Sequence, residues 1–290
     1  MKNKLILLSV VVLFLLASCK PAPTVPEKPV ETKKGTLFII GGGKVNESMR
    51  DQMIKASGLD TAGYMIVLPM SSVEEPLVNV EEAKLKFKDI PGLKITYLNI
   101  NKGDTVSAVQ LDSIRNACLV FISGGDQSRF LDVVEGTGIK EAIHDAYNKG
   151  SLIAGTSAGA SLMSKIMVTG NELKHPEDGG FTTIEAGNVE TIEGLGFLQN
   201  VTIDQHFVVR KRLNRMIAYC IENPNHIGVG IDEGTAIFVD GDSATVFGVS
   251  QVVVIKNKGA KTTTQNGLLG AQGLQLDVYL PGESFKLNLD

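Results

Sequence analysis

The chain has 290 residues, is 43% hydrophobic and carries a net charge of -4. That is enough to bury one large core or two modest ones, and the composition is too apolar for a disordered protein. The mild acidic excess excludes the basic footprint of a nucleic-acid-binding protein.

The first residues do not read as part of a fold. Lys2 and Lys4 precede a nearly continuous apolar run from Leu5 to Leu16, closed by Ala17-Ser18-Cys19. The run is shorter than the roughly 20 residues that cross a bilayer and has the length of a secretory signal. Small residues leading directly into a cysteine resemble a bacterial lipoprotein signal. Residues 1–18 therefore read as a signal peptide, and Cys19 as the lipidated residue of an exported, membrane-anchored chain. Pro21, Pro23, Pro26 and Pro29 lie in residues 19–34 among polar neighbours, which describes an extended tether. Residues 35–290 read as one domain.

Strand-like and helix-like pieces alternate from there. Thr36 to Ile40 is an apolar run ending in Gly41-Gly42-Gly43, and Asn46 to Ser57 has helical spacing. Tyr64 to Leu68, Lys94 to Leu98, Cys118 to Ile122 and Leu152 to Ala154 read as strands. Between them, Val80 to Phe87, Val106 to Ala117, Phe130 to Val134 and Ile139 to Asn148 read as helices. This rhythm predicts an α/β fold: a mostly parallel sheet flanked by helices. Ser161 to Met167 can begin a further helix. Residues 168–196 are polar and glycine-rich without a clear period, the profile of a functional loop or lid. Arg210 to Ile221 is helical, with Leu213, Met216, Ile217 and Cys220 on one face. Short β-runs follow at Ile227 to Ile231, Ala236 to Val239, Ala244 to Phe247, Val252 to Ile255, Leu274 to Leu280 and Ser284 to Leu287. They predict additional C-terminal strands.

Ligands of open α/β sheets bind at the carboxyl ends of strands, and three glycine-rich turns fall there: 41–43, 123–125 and 155–159. The first lacks the G-x-G-x-x-G spacing of a dinucleotide loop, because position 46 is Asn, so no nucleotide cofactor is expected. No Cys/His cluster has the spacing of a zinc site, and Cys118 and Cys220 read as buried thiols or, in an exported chain, one disulfide. The third turn, Gly155-Thr156-Ser157-Ala158-Gly159-Ala160, has the layout of a nucleophile elbow. A serine at a tight strand-to-helix turn is strained and exposed, and small neighbours keep Cβ atoms from clashing. The amide of Ala158 is then free to stabilise an oxyanion. The same residues would also serve as a plain turn packing a helix on a sheet.

A nucleophilic serine needs a base. His144 lies mid-helix, His175 in the long loop and His226 at a turn. His206, in Ile203-Asp204-Gln205-His206-Phe207, ends a strand among polar groups and is the favoured base. The acid that orients it falls in Asp232-Glu233, at the end of an apolar strand, with either residue open to the role.

These motifs together, with Ser123-Gly124-Gly125-Asp126-Gln127, Gly194-Leu195-Gly196-Phe197 and Arg210, Arg212 and Arg215, resemble the cyanophycinases. These are serine exopeptidases of a family that includes aspartyl dipeptidases, with a fold similar to class I glutamine amidotransferases. The resemblance implies Ser157 as nucleophile, His206 as base and Glu233, rather than Asp232, as acid. It implies an oxyanion hole at Gly125 and Ala158. It implies a substrate-binding set of Gln127, Asp204, Gln205, Arg210, Arg212 and Arg215. The implied substrate is cyanophycin, a polyaspartate backbone with arginine on each β-carboxyl, or a similar isopeptide polymer, cut to β-aspartyl-arginine without a cofactor or metal. An aspartyl or isoaspartyl dipeptidase and a non-catalytic peptide-binding surface protein are the alternatives, and a homodimer is compatible with either. At about 100° per helical residue, Arg215 is expected to point away from the apolar face, leaving a solvated basic face as a competing reading of Arg212 and Arg215.

Overall fold

Runs of branched and aromatic residues alternate with capped helices through the first half of the chain. The computed structural model describes residues 34–61, 63–73, 76–90, 92–177 and 180–289. The expected signal segment, Cys19 as the expected lipidation site and nearly all of the expected tether lie outside them. Elements β1 (Thr36–Ile40), α1 (Glu47–Ser57), β2 (Tyr64–Leu68), α2 (Pro76–Lys86), β3 (Lys94–Tyr97), α3 (Ala108–Arg115), β4 (Leu119–Ile122), α4 (Gln127–Val134), α5 (Ile139–Asn148) and β5 (Leu152–Thr156) come first. They are followed by α6 (Ala158–Ser161), β6 (Ile166–Glu172), β7 (Val189–Glu193), β8 (Val201–Gln205), α7 (Leu213–Glu222) and β9 (Ile227–Ile231). The chain then forms β10 (Thr235–Asp240), β11 (Ser243–Gly248), β12 (Val252–Lys256), β13 (Lys261–Gln265), β14 (Leu268–Gln272), β15 (Gln275–Tyr279) and β16 (Ser284–Lys286).

Two sheets position the site. An eight-stranded sheet runs β16-β11-β10-β1-β5-β4-β2-β3. Its pairs from β1 to β3 are parallel, and β10, β11 and β16 extend it antiparallel. Strand β1 is buried on both sides, as a parallel strand between helical layers must be. Phe38 and Ile40 pack with Met49 and Met53 of α1, while Leu37 and Ile39 face a core shared with α3, α5 and the second sheet. That second sheet has the order β15-β12-β9-β8, with β8 and β9 parallel. Its outer face packs Val253 and Ile255 on Met216, Tyr219 and Cys220 of α7.

Four regions differ from the sequence expectation. The helix expected from Ser161 stops there as α6, and the chain turns into β6. The Lys165 amide donates to the Leu198 carbonyl and the Leu198 amide to the Met163 carbonyl, so pairing with a distant segment overrides local helix propensity. Residues 168–196 are not one loop: β6 and β7 pair antiparallel, with a register shift between Val168 and Glu172 that hides any two-residue period. Helix α7 begins at Leu213 and not Arg210, because Lys211 takes φ 54° and closes a separate turn. Finally, β13 and β14 form a hairpin about Asn266-Gly267, both at positive φ, a type of turn signal legible in sequence and unused above.

Candidate active site

Register decides what meets at the strand ends. Ile40 pairs with Thr156 and Ile122 with Gly155, so the 41–43 and 123–125 turns leave the sheet on either side of Ser157. Gln205 pairs with Ile231 in the second sheet, so His206 emerges beside Asp232 and Glu233.

Ser157 stands at φ 53° and ψ -114°, and its amide donates to the Ile40 carbonyl at 3.0 Å. A side chain does not adopt that φ without strain unless its surroundings fix it. The flanking glycines do so. A Cβ at Gly155 would lie 2.2 Å from the Gly159 carbonyl oxygen, and one at Gly159 2.3 Å from that of Ile122. Strand and helix therefore meet more closely than any side chain permits. The Gly124-Gly125 turn passes alongside: a Cβ on Gly124 would lie 3.2 Å from that of Ser157. Gly125 is held at φ 136° against the Ser71 carbonyl, and Ala158 is the buried first residue of α6.

His206 also has a positive φ, 48°, and its amide donates to the Gly41 carbonyl at 2.7 Å. The hydroxyl of Ser157 and Nε2 of His206 are 2.8 Å apart, and Nδ1 lies 2.6 Å from Oε1 of Glu233. With the proton on Nδ1, the ring donates to Glu233 and accepts from Ser157. Asp232 does something else. Its Oδ1 accepts from the Val208 and Val209 amides, and its Oδ2 accepts from the Ser250 hydroxyl. Burial acts to raise its pKa, but those donors win and hold the carboxyl below its ordinary value. For His206, burial is the main influence and lowers the pKa below the usual imidazole value. Arg210 and Arg212 push the same way, against the opposing bond to Glu233.

The triglycine turn has a function that spacing alone did not reveal. Gly42 sits at φ 102°, and a Cβ there would lie 2.3 Å from Cε1 and 2.6 Å from Nε2 of His206. Its carbonyl accepts from the Gly234 amide at 2.8 Å, next to Glu233. The turn is thus the surface on which the imidazole rests. The sequence signal was three glycines ending a strand without a phosphate-loop spacing.

The remaining residues of the expected set split into two groups. Asp204 is 1% exposed and takes Nε and Nη2 of Arg215 at 2.6 and 2.5 Å, with Nη1 of Arg212 at 3.4 Å. Arg215 is 6% exposed and lies over the Phe181 ring, so the competing reading of a solvated basic face fails for it. Asp204 and Phe181 cover that side of α7, and a buried carboxylate requires a cation. Arg212 donates to the Gln205 carbonyl at 2.7 Å; burial first, then the charges of Arg215 and Arg210, lower its pKa to about 10. Gln127 is committed structurally, its Nε2 bonding the Val168 and Thr169 carbonyls. The side-chain oxygen of Gln205 is buried without a hydrogen-bond partner. Arg210 is the exposed member, and its amide donates to the His206 carbonyl at 3.0 Å, one turn from the imidazole. A cavity of ≈ 740 Å³ opens there, between Arg210, Lys211 and Arg212 on one side and the end of β6 with His175, Pro176, Phe181 and Thr182 on the other.

Comparison with known proteins is decisive at the level of family. The profile described as Peptidase family S51 matches residues 37–247. The chain belongs to peptidase family S51. It is a hydrolase of peptide bonds, in a family of serine peptidases. A cyanophycinase from Nostoc sp. is 28% identical over 267 residues, covering 89% of this chain and 87% of that protein. Another from Synechococcus elongatus is 28% identical over 271 residues, 88% of this chain and 80% of its own. A peptidase E from Actinobacillus pleuropneumoniae is 23% identical over 177 residues, 58% of this chain and 69% of its own. The crystal structure of a peptidase from an acI-B1 Actinobacterium shares the fold, with a TM-score of 0.67 at 18% identity over 88% of this chain and 98% of that one.

Within this S51 peptidase the other histidines have separate partners. His144 bonds the Leu195 carbonyl and stacks on Phe197, His175 meets Glu185, and His226 meets the Tyr219 hydroxyl. Cys118 and Cys220 are free thiols, the second fully buried.

Proposed function

We propose that this S51 peptidase is an exported exopeptidase that hydrolyses β-aspartyl-linked chains through Ser157, His206 and Glu233. The observation that carries the reading is the continuous hydrogen-bonded line from the Ser157 hydroxyl through His206 to Glu233, at 2.8 and 2.6 Å. His206 takes the Ser157 proton on Nε2 as Oγ attacks the amide carbonyl, and Glu233 stabilises the imidazolium. The oxyanion that forms is stabilised by the amides of Gly125 and Ala158, which flank the serine. His206 returns the proton to the departing nitrogen. It then removes one from the water that cleaves the acyl-enzyme.

The substrate class rests on the arginines. Arg210 and Arg212 line a cavity one turn from His206, and guanidinium groups bind carboxylates through paired hydrogen bonds. A ligand bearing several carboxylates near the scissile bond suits them. That description fits cyanophycin, the polymer for which the relatives above are named, and its β-aspartyl-arginine product. Incubating the purified chain with cyanophycin and with α- and β-linked aspartyl dipeptides tests this. Release of β-aspartyl-arginine supports it, whereas cleavage of α-aspartyl dipeptides alone would make the protein an aspartyl dipeptidase. The N-terminal motif supports lipid attachment at Cys19 on an exported chain. Cys19→Ala should abolish acyl labelling and free the enzyme from membranes.

A further inference from the structure

The cavity beside Arg210 is not uniformly basic. Glu172, the last residue of β6, is the one carboxylate lining it among the described residues. It is 8% exposed. Its Oε2 accepts from Nδ2 of Asn188 at 2.7 Å, while its Oε1 has no hydrogen-bond partner. Asn188 is itself 1% exposed and is fixed from both sides, its Oδ1 accepting from the Lys174 amide and its carbonyl from the Leu173 amide. The carboxylate is therefore held in place with half of its accepting capacity unused. A buried charge left in that state is costly unless something completes it. Among the described residues no cation pairs with it. Arg215, in the cavity wall, is committed to Asp204 and Phe181, and no ion pair joins Glu172 to Arg210 or Arg212.

We propose that Glu172 is the specificity-determining residue for a cationic side chain on the substrate, a guanidinium above all. The opposing wall of Arg210 and Arg212 receives carboxylates of the same unit. A ligand that satisfies both walls carries an anionic and a cationic group a few bonds apart, as an arginine with a free α-carboxylate does. A purely acidic peptide would satisfy the arginines and leave Glu172 unmatched and repelled. A planar guanidinium suits a carboxylate better than an ammonium does, because it offers paired donors. Oε1 is covered by its neighbours, so a guanidinium reaches it through a change of the Glu172 rotamer. The inference rests on the proposed function for its substrate and deepens it.

Binding and turnover separate the two claims. The full chain carrying Ser157→Ala is titrated calorimetrically with β-aspartyl-arginine and with β-aspartyl-citrulline, in which a neutral urea replaces the guanidinium. The arginine compound should bind tighter by about tenfold or more, the scale of one charge-assisted hydrogen bond in a partly dry site. Adding Glu172→Gln should bring the two ligands within about twofold, by weakening the arginine compound alone. Equal binding before that change, or discrimination that survives it, overturns the inference. If Glu172→Gln does not fold, Glu172→Asp, which withdraws the carboxylate by one methylene, takes its place, and unchanged discrimination then overturns the inference. Wild-type hydrolysis of cyanophycin is measured in parallel. Discriminating binding without hydrolysis removes the proposed reaction and keeps the subsite; hydrolysis without discrimination does the reverse.

Discussion

The eight-stranded sheet and the four-stranded sheet each deliver part of the site, and they hold it by different means. Ser157 is fixed by backbone. Two glycines allow strand, turn and helix to approach within distances that no side chain permits, and the serine takes its strained φ as a consequence. The second sheet works through side chains. Asp204 gathers Arg212 and Arg215, Asp232 gathers two amides and a hydroxyl, and Glu233 holds His206. The contrast teaches where each half tolerates change. The proposed nucleophile, fixed by backbone, should be nearly all-or-none, whereas a site built from charges should respond in steps.

The largest effect belongs to the backbone-fixed half. Ser157→Ala should lower kcat by about 10⁴ or more and leave the melting temperature unchanged, by analogy with other serine triads. A fluorophosphonate probe should label the wild type at Ser157 and fail on this variant. Labelling elsewhere would remove the serine from the mechanism.

The acid pair comes next and tests the side-chain half. Glu233→Gln should cost about 10²–10⁴ in kcat, because only Glu233 holds the imidazole tautomer that accepts from Ser157. Asp232→Asn should act on stability instead. Its carboxylate is ionised below the ordinary range, so its stabilisation is complete at neutral pH and is lost as pH falls through the lowered folded value. The variant should therefore melt earlier at pH 7 and differ little from wild type in strong acid, with kcat changed by less than about tenfold. Equal kinetic losses from the two substitutions would dissolve the distinction.

Gly42 lies where the two halves meet. Gly42→Ala puts a methyl group into the His206 ring, and a ring can swing aside where backbone cannot. The expected result is a folded protein with kcat reduced by about 100-fold, as for a displacement near one ångström, and KM little changed. Gly103→Ala is the control. It carries a similar positive φ, 88°, with nothing within 4 Å, so it reports strain without collision. Matching losses in the two variants would reduce Gly42 to an ordinary turn residue.

The first half of the chain was legible because its signals are local. Apolar runs, helical spacing and glycines at strand ends each act within a few residues, and the β1–β5 alternation follows from them. The serine elbow was readable for the same reason. The second half depends on partners far apart in sequence. Nothing near Arg215 announces that Asp204 lies within hydrogen-bonding distance, and helical spacing alone does not show that Asp204 and Phe181 cover that side of the helix. The choice between Asp232 and Glu233 is likewise invisible locally, since it depends on Ser250 and the 208–209 amides reaching one carboxylate and His206 the other. The β6–β7 pairing was hidden by a register shift, and Glu172 by the polar segment around it.

The smallest effect is also the most diagnostic of a site built from charges. Burial is the main reason that His206 has a lowered pKa, with Arg210 and Arg212 adding to it and Glu233 opposing. The base must be neutral to act, so kcat/KM should rise with pH through an apparent pKa below the usual imidazole value. Removing a nearby positive charge makes protonation easier. Arg210→Gln should therefore move the rising limb to higher pH, and Glu233→Gln, which removes the one favourable partner of the protonated ring, should move it lower. Raising the salt concentration should shrink the Arg210 effect, because that side chain is exposed and its influence crosses solvent. The measurement is a pH profile of a small activated ester, which lacks the carboxylates that Arg210 is proposed to bind. With such a substrate any shift reports the field at His206 and not substrate recognition. Arg210→Lys keeps the charge and should keep the profile, while losing about tenfold in kcat/KM on β-aspartyl substrates through the lost fork geometry. If Arg210→Lys moved the profile as far as Arg210→Gln, the arginine would act on His206 through the 206–210 turn and not through its charge. The second sheet would then hold its half of the site by backbone as well.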